Sequence, residues 1–313
     1  MHLLDCVMCL CREVMTMSVD DRFFITVDAD DIGVLPRPRL SGSDTRRPDF
    51  SQVGFQAALS RSFVDVPVEP FSHCVMTVSV PHDDSLPLVA TLKSIIDATV
   101  AAGVIADDRS SINGARINRY RLEGNAQPTV NVEVLPRRSG DPAFIRSFPD
   151  EQGLATVMRS VISPVSYRYR CGVDGDSPFS NPWVNSSEDY EQLLRDRWRV
   201  LQDSGAIHMV NGWLPFMSPC MLVVGLPDSA TCDPDNALLF LIDMLEVARR
   251  DELGDQAGEL TLDQLLTAAW FYRSDGSGFS LSGESFTPSN QYECNAYFTR
   301  LGERIDPYIP GDT

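Results

Sequence analysis

Apolar and polar positions alternate in short runs along this chain, and between the runs lie segments whose apolar residues recur at helical spacing. CVMTVSVP at Cys74–Pro81 and CMLVVGLP at Cys220–Pro227 alternate as strands, each closed by a proline. Each is followed by a polar loop and then by a helix-spaced run, LVATLKSIIDATVA ahead of Gly103 and ALLFLIDML after Asn236. One offset of 146 residues carries Cys74 onto Cys220, Pro81 onto Pro227, Leu92 onto Leu238, Ile96 onto Ile242 and Asp97 onto Asp243 without a gap. An offset that holds through strand, loop and helix predicts a duplication. The expected architecture is α/β (α+β): two tandem domains, each a small mixed sheet packed with helices and with its own core, forming a pseudo-dimer within one chain.

The remaining pattern fills in these domains. FFITV after Arg22 reads as a strand and Phe50–Phe63 as an amphipathic helix. INGARINRYRLE and PTVNVEVLP read as strands of a hairpin turning near Gly124 and Asn125. GLATVMRSVIS is helix-like and falls in a connector. In the second half SYRYRCGV reads as a strand. SEDYEQLLRDRWRVLQD is a clear helix, with Ser186 or Ser187 as its cap and Gly205 as its stop, and LTLDQLLTAAWFYR is a helix turning into a strand. The expected boundaries are a flexible extension over 1–20, domain 1 over 21–140, the connector over 141–163 and domain 2 over 164–313.

At 313 residues and 43% hydrophobic the chain suits two domains of about 150 residues each. No run reaches the roughly 18 apolar residues of a membrane helix, so no membrane partner is expected. The opening MHLLDCVMCLCREVMTM, interrupted by Asp5 and Arg12, lacks the basic leader and clean apolar core of a signal peptide. Of eight cysteines, Cys6, Cys9 and Cys11 are not followed by a second pair at zinc-finger spacing, while Cys74 and Cys220 sit in core strands as small apolar groups. A reducing cytoplasm fits this usage best. The net charge of −18 opposes nucleic acid at long range, although unevenly. Residues 1–150 hold 15 basic and 20 acidic side chains, against 11 and 24 in 151–313, so any DNA meets the first half more easily.

Candidate chemistry centres on DPDN. Asp233 and Asp235, with Asn236, stand at a helix start, where the helix dipole favours ionised carboxylates, and two such oxygen donors suit Mg²⁺. The competing reading is an ordinary capping loop, since Asp and Asn are favoured at helix starts without any metal. The acidic cluster Asp28, Asp30 and Asp31 reads as a solvated loop, and Asp107 with Asp108 as a polar turn after Gly103. Arg37, Arg39, Arg46 and Arg47 form the densest basic patch, and Arg116, Arg119 and Arg121 lie on the strand pair. Each group is either a phosphate-contacting surface or solvated. Of 26 basic residues only Lys93 is a lysine.

The pieces resemble the signature of RusA-type Holliday-junction resolvases. DPDN followed by Asp243 is similar to the first half of that signature, and KSIIDATVAAGVIADD, from Lys93 to Asp108, is similar to the second. The resemblance implies a dimerising α/β fold whose acidic residues bind Mg²⁺, or Mn²⁺ in its place, and whose lysine assists phosphodiester cleavage at a four-way DNA junction. It implies metal binding by Asp233 and Asp235 with Asn236 in support, helix aspartates at Asp97 and Asp243, the assisting lysine at Lys93, and the paired acids at Asp107 and Asp108. The chain departs from the family in both halves. Pro87 and Val89 stand where the first domain needs its aspartates, with Asp83 and Asp84 the nearest substitutes. Leu239 holds the lysine position of the second domain, and its later acid is best supplied by Asp263.

The expectation is therefore a Mg²⁺-dependent, structure-selective endonuclease with Asp233, Asp235 and Asp263 as its metal ligands. The alternative is a catalytically degenerate relative that binds branched DNA or a protein partner without cutting. A third class, an acidic inhibitor or DNA mimic, needs only the charge. The two half-motifs could also complement each other across the domain interface, which needs a particular packing.

Overall fold

The computed structural model describes residues 23–28, 67–82, 87–122, 128–137, 155–161, 187–203, 207–210, 220–227, 234–274, 279–281, 284–286 and 293–299. In chain order the elements are β1 (Phe23–Asp28), β2 (Cys74–Pro81), α1 (Leu88–Ala101), β3 (Ile112–Tyr120), β4 (Thr129–Pro136), β5 (Ala155–Val161), α2 (Ser187–Asp203), β6 (Ile207–Val210) and β7 (Cys220–Pro227). They continue with α3 (Pro234–Leu253), a 3₁₀ turn (Gly254–Ala257), α4 (Leu262–Leu265), β8 (Leu266–Ser274), β9 (Phe279–Leu281), β10 (Glu284–Phe286) and β11 (Glu293–Thr299). The chain is thus of mixed α/β character.

A nine-stranded mixed sheet runs in the order β1-β4-β2-β3-β8-β7-β11-β5-β6, and β9 pairs with β10 separately. β2 is parallel to β3 and β7 is parallel to β8. Parallel neighbours need a crossover, and α1 and α3 supply the two. Both parallel pairs slip register at the same place, between Cys74 and Val75 and between Cys220 and Met221, positions related by the offset of 146. Where the halves meet, β3 and β8 are antiparallel, with Gly114 opposite Tyr272, Arg116 opposite Trp270 and Asn118 opposite Ala268. The eight residues inserted around the 3₁₀ turn raise the offset to 154 for these strands, which carries Arg116 onto Trp270. Exchanging the halves therefore leaves the register unchanged. A pseudo-two-fold axis passes through the Arg116–Trp270 pair, and β1-β4-β2-β3 mirrors β5-β11-β7-β8.

Alternation decides what the sheet buries. Met76, Val78, Ala115, Ile117, Val132, Leu222, Ala269 and Phe271 face the helices and are buried. α1 is apolar on most of its surface, α3 buries Asp235, Asp243, Glu246 and Arg249 beside its apolar residues, and α2 lies over α3 with Leu194, Trp198 and Leu201 inward. Each such large side chain contributes about 1.5–3 kcal/mol on burial. One hydrophobic cluster joins Phe23 and Val80 of the first half to Leu222, Ile242 and Phe271 of the second. Among the described residues the core is one cluster in place of the expected two, because the β3–β8 pairing joins both halves into one sheet.

α1 ends as its glycine suggests. Gly103 adopts φ 75°, its N–H bonds Val100 O and that of Val104 bonds Thr99 O, so the last carbonyls are satisfied. Two expectations are corrected. Of the helix expected at GLATVMRSVIS, the described residues Ala155–Val161 form strand β5, whose backbone pairs with β11 on one side and β6 on the other. β3 and β4 are not a hairpin, since β2 lies between them and satisfies one edge of each. The helix expected over 50–63, the strand SYRYRCGV, the N-terminal extension and the turn at Gly124 and Asn125 lie outside the described residues.

Candidate functional site

The two half-motifs meet at the crossing of α1 and α3. Asp235 lies in the first turn of α3, is fully buried, and accepts through Oδ2 from Lys93 Nζ of α1 at 2.6 Å. The same ammonium reaches Asp97 Oδ1, one helical turn on, at 3.3 Å. Lys93 and Asp97 keep 22% and 24% of their side-chain surface exposed, so the cluster opens on the Lys93 side and closes behind Asp235. Under the two-fold, Lys93 and Asp235 exchange with Leu239 and Val89, both buried members of the common core. The positions equivalent to the ion pair are thus both apolar. Asp235 Oδ1 is buried and has no hydrogen-bond partner among the described residues.

Asp263 does different work. α1 begins after Pro87, which offers no side-chain cap. The carboxylate of Asp263, carried on α4, accepts from Val89 N at 2.7 Å and Ala90 N at 3.2 Å, and so caps a helix of the other half. α4 is held for this by its own capping box, in which Thr261 and Gln264 satisfy each other's backbone N–H groups. Glu246 of α3 adds a bond from Leu262 N at 2.7 Å. Burial raises the Asp263 pKa to about 6, against the opposing pull of the two N–H groups and of Arg119, and with Asp243 adding to the rise.

A second interlock repeats across the axis. Buried Arg119 of β3 donates to Leu266 O at 2.7 Å and Gln264 O at 3.0 Å. Its equivalent at the offset of 154, Arg273 of β8, donates to Ile112 O at 3.3 Å and also to Arg109 O. Leu266 and Ile112 are themselves equivalent, so each half bonds the start of the other half's central strand. This role of Arg119 was not legible as such. The repeated Ala-x-x-x-Arg of Ala115–Arg119 and Ala269–Arg273 was its signal.

The other candidates are spread apart. Asp107 closes its own turn, accepting from Arg109 N, Ser110 N and the Ser110 and Ser111 hydroxyls. Burial opposes the charge there, yet these bonds hold its pKa down at about 2. Asp108 is half-buried in the same turn. Asp243 is buried and accepts from Tyr190 Oη of α2 at 3.1 Å, a partner that sequence reasoning missed. Arg116, half-buried at the axis, donates to Thr77 Oγ1 at 3.1 Å; burial lowers its pKa and Glu133 counters this. Of the strand arginines only Arg121 is exposed, because β3 is a central strand and strand alternation and the β8 contact enclose the others. Asn236 lies in the first turn of α3. Asp233, Asp84, Arg37, Arg39, Arg46 and Arg47 lie outside the described residues.

As arranged, the described donors do not fit Mg²⁺. Asp235 is neutralised by an ammonium and closed off from water, and Asp263 is occupied by two backbone N–H groups, whereas Mg²⁺ keeps several waters. Among the described residues no three His, Cys, Asp or Glu side chains converge as a metal site, and no helix is long and apolar enough to cross a membrane. The arrangement can hold one cation between Asp235 and Asp97, and Lys93 is that cation. No protein-family model and no curated protein matches this sequence.

Proposed function

We propose that this chain is a RusA-like pseudo-dimer that binds branched DNA through its two-fold arrangement without cutting it. The observation that carries this is the Lys93–Asp235 ion pair across the axis. The lysine that the resemblance assigns to phosphodiester cleavage is bound to the very carboxylate assigned to the metal, so neither is available for its family role. Support for branched DNA comes from the resemblance and from the pseudo-two-fold axis, since a four-way junction presents its arms in a two-fold arrangement. The strong negative charge favours a second reading, a protein partner in place of DNA.

The test is a labelled four-way junction mixed with the full chain in Mg²⁺ or Mn²⁺, beside linear duplex at several salt concentrations. The expected result is junction binding that weakens steeply with salt, with no metal-dependent cutting. Cutting that is lost in Asp235→Asn would replace this reading by the endonuclease. Intact folding with no DNA bound at low salt would replace it by the protein-partner reading.

A further inference from the structure

We draw no further inference here: the strongest candidate, the groove of about 340 Å³ between α2 and α3 lined by Arg195, Arg199, Gln202, Asp251 and Glu252, already joins its own charges through Arg195 and Asp251 at 2.8 Å, and nothing in the structure shows what covers it.

Discussion

Asp263 ties the two halves together at a cost that depends on pH. Its carboxylate is 5% exposed, and its pKa rises from 3.8 to about 6, chiefly through burial. A shift of about two pH units corresponds to about 3 kcal/mol between its protonation states. The folded state holds the proton more tightly than the unfolded chain, so the contribution to stability grows as pH falls through about 6 and levels off near 4. Above pH 7 the ionised group contributes its N–H bonds and carries the full desolvation cost. Asp263→Asn has no proton to gain, keeps one acceptor for Val89 or Ala90, and removes this term alone. Urea unfolding of both proteins at pH 7.5, 6.5, 5.5 and 5.0 isolates it, because the other titrating groups cancel in the difference. The wild type should gain about 1–1.5 kcal/mol on Asp263→Asn between pH 7.5 and 5.0. A flat difference would mean that the two N–H groups and Arg119 fully compensate burial, and a loss on acidification would mean that they outweigh it; either refutes the reasoning.

Two further predictions concern the buried strand arginines and the Asp107 turn. Arg119→Met removes two carbonyl bonds and the positive charge near Asp263, so it should cost about 3 kcal/mol and move the Asp263 transition to higher pH; the equivalent Arg273→Met should destabilise without moving that transition. Asp107→Ala removes the acceptor that closes its turn and should cost about 1 kcal/mol, as a lost cap does. Because the folded pKa of Asp107 is depressed to about 2, its stabilisation is present above pH 4 and fades as pH falls toward 2, so the variant should lack that part of the acid-side loss. Chemical denaturation across pH checks each.

Much of the fold was legible because it is written in local patterns. The alternation of Cys74–Pro81 and Cys220–Pro227, the helix-spaced runs after them, the Gly103 stop and the α2 helix are properties of a few adjacent residues, and the offset of 146 exposed their repetition. Strand partners were not legible. GLATVMRSVIS has apolar residues that suit either period, and only β11 and β6 on the flanks of Ala155–Val161 make that part a strand. β3 and β4 are adjacent in sequence but are separated by β2, because the register of a sheet is set by which buried faces match. The candidate site divides in the same way. The sequence by itself determined that Lys93, Asp97 and Asp235 are unusual residues at helix positions of a repeated unit. Only the tertiary structure decided that they form one cluster from two halves and that Asp263 caps the opposite helix. A charge's partner across 142 positions of chain depends on how two helices cross on a shared sheet, and no local pattern carries that information.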